Sequence, residues 1–165
     1  MKLAREIAAA PLVNHGDVYQ PIPFPEFAGL DSQADDRATY QRLGIVLDHG
    51  GDPRGMRYLD LGCNLGFYAF SLARRGARVA GLDRDARFIA VARRVAGIEG
   101  VAGEFVAAPL DPGLFAPGGV FGSPRPVWDL VTCFSTLQWV VEEHGEDFAV
   151  ELLKAIRRRS RALIL

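Results

Sequence analysis

Long apolar runs are absent from this chain, and their absence sets the first limits. No stretch approaches the roughly eighteen consecutive apolar residues of a membrane-spanning helix. Met1 to Val13 carries Lys2, Arg5 and Glu6 with only a short apolar stretch, so the basic-then-apolar order of a signal peptide is missing. Cysteine is scarce. Cys63 and Cys133 are too few for a disulfide framework or a four-ligand zinc site. Both fall in apolar strand-end contexts, which predicts reduced thiols and a cytoplasmic protein. Excess charge is missing as well: the formal net charge is −1, so no bulk basic field exists to hold nucleic acid. Lysine is nearly absent, with only Lys2 and Lys154. The arginines that replace it fall in pairs such as Arg74-Arg75 and Arg93-Arg94, which read as solvated helix faces.

What is present fits one soluble globular domain. The chain has 165 residues, 49% of them hydrophobic and 24% charged, enough for a sizeable buried core. Residues 1–31 read as an irregular arm. Pro21, Pro23 and Pro25 exclude both helix and central strand there, and Tyr19, Phe24 and Phe27 suggest an arm that packs on something. Residues 32–165 read as the folded domain. Ser32 and Asp35 resemble a capping box, followed by Tyr40, Leu43, Val46 and Leu47 at helical spacing up to Gly50-Gly51.

From there strands and helices alternate. The patterns predict strands at Arg57–Leu61, Ala77–Leu82, Glu104–Ala107, Val127–Phe134 and Ala162–Leu165. They predict helices over Phe67–Arg75, over Asp85–Ile98 with Phe88, Ala92, Val95 and Ile98 on one face, and over Glu143–Arg159 burying Phe148, Leu152 and Ile156. Pro109 to Pro126 reads as loop with one helical turn near Leu114. Such alternation implies right-handed crossovers and a mostly parallel sheet with helices on both faces, a three-layer α/β sandwich.

The chemistry concentrates in Tyr58-Leu59-Asp60-Leu61-Gly62-Cys63-Asn64-Leu65-Gly66-Phe67, a buried strand, a tight turn and a helix start. Gly62 and Gly66 allow positive φ or close approach of a ligand. Asn64 is among the few other residues that tolerate the left-handed region. The helix start aims backbone N–H groups at the turn. A dinucleotide site would show G-x-G-x-x-G around a pyrophosphate. Here Asp60 precedes the first glycine and would repel one. It suits a ligand with a cationic amino-acid end, and S-adenosylmethionine meets that demand. Asp83 follows Asp60 by 23 positions, near the ~20-residue offset of a ribose-binding acid. Its other reading is a cap for the helix starting at Asp85.

Asp60-Leu61-Gly62-Cys63-Asn64-Leu65-Gly66 resembles motif I of the class I (Rossmann-like) methyltransferases. Gly81-Leu82-Asp83 resembles the acidic end of their second strand, and Trp128 to Ser135 their motif IV. The resemblance covers about residues 57 to 159 and implies a sheet of order 3-2-1-4-5. It implies that Gly62, Cys63, Asn64 and Gly66 line the methionine part of S-adenosylmethionine and that Asp60 holds its amino group. It further implies that Asp83 takes the ribose hydroxyls, that Arg84 lies beside the adenine, and that Phe134 belongs to the cofactor site. Three departures stand out. Asn64 replaces the middle glycine, the acid usual after the third strand is missing unless Asp111 serves, and the family's last two strands do not follow the fifth. The last departure predicts an incomplete domain or a fifth-strand edge covered by a second copy or another partner.

On the acceptor side stand Ser135, Gln138, Trp139 and His144. His144 is the candidate general base, or a surface residue at a helix start. Trp139 stacks on an acceptor or packs beneath the loop. Arg37 reaches the cofactor carboxylate or stays an exposed helix arginine. A small-molecule acceptor suits the near-neutral charge, with RNA or protein as alternatives. Two other functions share these features: a non-catalytic methyltransferase-like module acting through a partner, and a nicotinamide-dependent oxidoreductase.

Overall fold

The computed structural model describes residues 19–27, 36–122 and 128–165. The Ser32–Asp35 cap, Met1 to Val13 and Val127 lie outside these. Five strands form one sheet in the order β3-β2-β1-β4-β5: β1 (Arg57–Leu61), β2 (Arg78–Asp83), β3 (Gly103–Ala107), β4 (Trp128–Thr132) and β5 (Ser160–Ile164). Every pairing is parallel. The expected fold class and strand order are therefore observed.

The central strands read as nearly continuous apolar runs because both their faces are covered. Tyr58, Val79, Phe105 and Leu130 face one helical layer, formed by α1 (Asp36–Gly50), α2 (Phe67–Ala73) and α3 (Ala86–Glu99). Leu59, Leu61, Ala80, Leu82 and Val131 face the other, formed by α4 (Leu137–His144) and α5 (Glu146–Arg157). α2 is buried from Phe67 through Leu72, almost all round, which is why its sequence shows no polar face. α5 buries Ala149, Leu152 and Ile156, an i, i+3, i+7 stripe.

Four expectations need correction. The helix expected over Glu143–Arg159 is two helices, divided at Gly145, whose φ of 86° and ψ of 169° are closed to side-chain-bearing residues. Phe148 is accordingly half-buried rather than buried. The buried face of α3 is Ile89, Ala92, Val95 and Ala96, while Ile98 is 56% exposed. Asp85 sets that phase: it stands outside the helix as N-cap and accepts the Arg87 N–H at 2.9 Å. The arginine pairs are not merely solvated. Arg93 donates to the Phe105 carbonyl at 2.8 Å and Arg75 to the Ser71 carbonyl at 2.6 Å. Trp139, finally, does not pack beneath a loop but is 59% exposed.

The proline-rich arm packs as expected. Ile22, Phe24 and Phe27 are buried, and Phe24 meets Phe70 of α2 with ring centroids 5.5 Å apart. Arg74 donates to the Pro23 carbonyl and lays its guanidinium 5.5 Å from the Phe24 ring. Tyr19 remains half exposed. A short 3₁₀ turn at Pro112–Phe115 matches the turn expected near Leu114.

Candidate functional site

In an open parallel sheet the ligand crevice lies beyond the carboxyl ends of the central strands. Here those ends bring Asp60, the Gly62–Gly66 turn, Asp83 and Phe134 into one region. The turn is held from β2. The N–H groups of Gly62 and Cys63 both donate to the Leu82 carbonyl at 2.8 Å. Asn64 sits at a φ of 51°, as its residue type allows. Its N–H donates to Asp83 Oδ2 at 2.9 Å, and its own Oδ1 accepts the Leu65 N–H at 2.8 Å. Asp83 Oδ1 accepts the Asp85 N–H at 2.9 Å. Asp83 thus clamps the turn and leads into α3 at once. Each carboxylate oxygen retains a second lone pair for a ligand hydroxyl.

Gly62 is required for two reasons. Its φ is 78°, and a Cβ there would stand 2.0 Å from Thr136 Oγ1. Thr136 opens α4 and donates to the Phe134 carbonyl at 3.0 Å, so the first turn and the segment after β4 interlock. Ser135 adopts a φ of 51° beside it, an uncommon conformation for serine, just past the carboxyl end of β4.

Asp60 is 2% exposed at the sheet centre. The parallel register sets Thr132 of β4 beside it, and Thr132 Oγ1 donates to Asp60 Oδ1 at 2.9 Å. Tyr58, fully buried, places its hydroxyl 2.5 Å from the same Thr132 oxygen. Asp60 Oδ2 is buried with no hydrogen-bond partner among the described residues. Burial pushes the Asp60 carboxyl up to about 7; the Asp83 charge adds to this and the Thr132 hydrogen bond opposes it. Asp83 is also raised, by burial first, against the hydrogen bonds from Asp85 and Asn64. Two carboxyls strained toward neutrality around a crevice favour a cationic ligand, whose charge relieves both.

The other expected residues fall into place less directly. The Cys63 side chain is buried in the core, so only its backbone faces the turn. Burial raises the thiols of Cys63 and Cys133, the latter to about 12, which keeps both free cysteines protonated. Arg84 is exposed and pairs with Glu143 of α4 at 2.9 Å, linking the end of β2 to the far side of the crevice. Phe134 packs on Tyr68 of α2 at 5.1 Å, with the Arg42 guanidinium 6.0 Å from its ring. Asp111 is exposed and caps the 3₁₀ turn, accepting the Gly113 N–H at 2.7 Å. His144 ends α4 rather than beginning a helix, and its ring packs on Phe148 at 4.6 Å.

Tyr58, Thr132 and Thr136 were missed by sequence reasoning. The readable signal was polarity: a hydroxyl inside a strand buried on both faces must find a partner. For Tyr58 and Thr132 that partner chain ends on Asp60. The residues present fit S-adenosylmethionine. Asp60 Oδ2, buried without a partner among the described residues, suits a cationic donor, and the Asp83 carboxylate stands on the neighbouring strand with lone pairs that suit hydroxyl donors. No phosphate would tolerate that pair.

Comparison with known proteins agrees. A family model described as "Methyltransferase domain" matches residues 59–162. Ubiquinone biosynthesis O-methyltransferase of Cronobacter sakazakii is 35% identical over 99 residues, 60% of this chain and 38% of that protein. Ribosomal RNA small subunit methyltransferase C of Chromohalobacter salexigens is 45% identical over 69 residues, 42% of this chain and 21% of that protein. The chain therefore spans well under half the length of these curated relatives. Among solved structures, the bifunctional kinase-methyltransferase WbdD superposes with a TM-score of 0.76 at 27% identity, covering 98% of this chain and 34% of that one. With a family model matched over more than half its length, the chain belongs to the methyltransferase domain family, the class I S-adenosylmethionine-dependent methyltransferases.

Proposed function

We propose that this domain transfers a methyl group from S-adenosylmethionine to a small-molecule acceptor. The observation that carries the cofactor half is Asp60, buried beside the Gly62–Gly66 turn with Oδ2 unmatched among the described residues. That oxygen would take the cofactor's ammonium. Asp83 would take the ribose hydroxyls while it clamps Asn64, and the turn backbone, including that of Cys63 and Gly66, would line the methionine part. Phe134, and Arg84 with its partner Glu143, would border the adenine side; Asp111 is left to its capping role. The bound sulfonium supplies an already activated methyl group. The protein's own work is then to fix the acceptor in line and to exclude water.

The acceptor half rests on how the arginines are used. Arg54, Arg84, Arg87 and Arg161 are paired with carboxylates. Arg74, Arg75, Arg93, Arg157 and Arg159 donate to backbone carbonyls. Arginines committed in this way make a poor track for a phosphate backbone, and the net charge of −1 adds none. The named O-methyltransferase relative supports the same reading. We take His144 as a surface residue rather than a base, because its ring is stacked on Phe148. We also propose that a further strand, from a second copy or another segment, pairs with the outer edge of β5, which ends the described sheet. Light scattering at high concentration distinguishes a dimer from a monomer.

The test is transfer of labelled methyl from S-adenosylmethionine to parallel panels of small molecules, total RNA and protein. Label in a small molecule, retained in His144→Ala, is the expected result. Label confined to RNA would move the acceptor to the class named by the ribosomal RNA relative. No transfer, with intact binding of the cofactor, would favour the non-catalytic module.

A further inference from the structure

Tyr58 precedes Asp60 by two residues on β1, so the two side chains share a face. The Tyr58 hydroxyl lies 2.5 Å from Thr132 Oγ1, and Thr132 donates its proton to Asp60 Oδ1 at 2.9 Å. A threonine hydroxyl carries one proton, so when Asp60 is ionised and Thr132 donates to it, Tyr58 is the donor to Thr132. The result is a directed chain, Tyr58 to Thr132 to Asp60, running beneath the site from β1 to β4 and back. Phenylalanine and valine would pack in these positions without the cost of burying two hydroxyls. The hydroxyls are therefore retained at a cost, and their chain ends on Asp60, whose other oxygen, Oδ2, is buried with no hydrogen-bond partner among the described residues.

We propose that Tyr58 and Thr132 are positioning residues: a buried hydroxyl relay that engages Asp60 Oδ1 and leaves Oδ2 as the acceptor for the ammonium end of the cofactor. The inference rests on the methyltransferase reading above and deepens it. The groups facing Asp60 are Asp83 from β2, Tyr68 from α2, Cys63 of the turn and Cys133 beyond β4, besides Tyr58 and Thr132 themselves. Of these, the Asp83 charge disfavours ionisation of Asp60. The Thr132 hydrogen bond is what favours it. The relay thus favours the ionised form of Asp60 against burial and the Asp83 charge when the ammonium arrives. The remaining protonated fraction must release its proton as the ligand binds.

The experiment titrates the full chain with S-adenosylhomocysteine and with 5′-methylthioadenosine, which keeps the ribose and adenine but lacks the amino-acid end. Calorimetry between about pH 5.5 and 9, in buffers of different ionisation enthalpy, counts the protons released. Thr132→Val should weaken S-adenosylhomocysteine about tenfold at pH 7, as expected for losing a hydrogen bond to a charged group. Its pH midpoint should move upward. Tyr58→Phe should shift affinity and midpoint in the same direction by about threefold, since it removes only the outer link. Thr132→Ser should restore both. Affinity for 5′-methylthioadenosine should stay within about twofold throughout. Equal loss for both ligands, or an unmoved pH midpoint in Tyr58→Phe, overturns the relay and leaves a packing role. If Thr132→Val does not fold, Tyr58→Phe and Thr132→Ser decide alone. Wild-type protein that binds neither ligand overturns the methyltransferase reading, and the relay with it.

Discussion

A carboxyl group at the centre of a parallel sheet needs a reason to be there, because an apolar residue of similar size would cost nothing to bury. Asp60 bears that cost visibly. Its folded-state value near 7 lies above the 3.8 of an unperturbed aspartate, so between those values the folded protein binds the extra proton. Stability due to this group is then greatest at acid pH and is lost as pH rises from about 4 through 7, the opposite of a salt-bridged aspartate. Asp60→Asn keeps the shape and removes the titration. The stability difference between Asp60→Asn and wild type should therefore grow across that window and level off above it. At most it should reach on the order of 4 kcal/mol in favour of the variant. Urea denaturation at a series of pH values reads this directly. Asp52, Asp85 and Glu151 are shifted the other way by their arginine or lysine partners, but subtraction of the two profiles cancels them. A difference that stays flat with pH would show that Asp60 titrates normally.

At the scale of elements, the Gly62–Gly66 turn and the start of α4 form one interlocked unit. Gly62→Ala forces a Cβ against Thr136 and holds alanine at positive φ. Together these should cost roughly 2–5 kcal/mol and lower the melting temperature by about 5–15 °C. Thr136→Ala should absorb part of that loss, giving non-additive costs in a double-mutant cycle. Strict additivity would mean that the contact is not the cause. The turn itself was legible in the residues, because Gly62, Asn64 and Gly66 are the types that tolerate left-handed backbone. α4 was not. Its eight residues carry too little periodicity to separate from α5, and only Gly145 marks the division. The phase of α3 was misread for a similar reason: Phe88 and Ile98 are the bulkier apolar residues, yet the Asp85 cap fixes a start that turns Ile89 and Ala96 inward. Trp139 followed the same habit, since apolar character says nothing about which face of a short helix meets water.

For the whole molecule, strand order was legible because alternating elements with right-handed crossovers leave few topologies. The candidate site's layout was legible where it joins neighbours in sequence, as at Asp60 and the turn, or residues at a fixed offset, as at Asp83, which meets the turn at Asn64. Where it is built across the sheet it was not. The pairing of Asp60 with Thr132, and of Arg84 with Glu143, joins residues 72 and 59 positions apart, and only the folded register brings them together. That the arm packs was legible in its aromatics, but neither its contact with α2 nor the arginine that seals it was. All of this converges on one assertion, that the carboxyl ends of β1 and β2 hold S-adenosylmethionine and not a dinucleotide. Calorimetric titration with S-adenosylhomocysteine, alongside NADH and the Asp83→Ala variant, tests it most directly. Saturable binding of S-adenosylhomocysteine, loss of that binding in Asp83→Ala, and no heat with NADH are the expected results. Saturable NADH binding without S-adenosylhomocysteine binding would contradict it and restore the oxidoreductase reading.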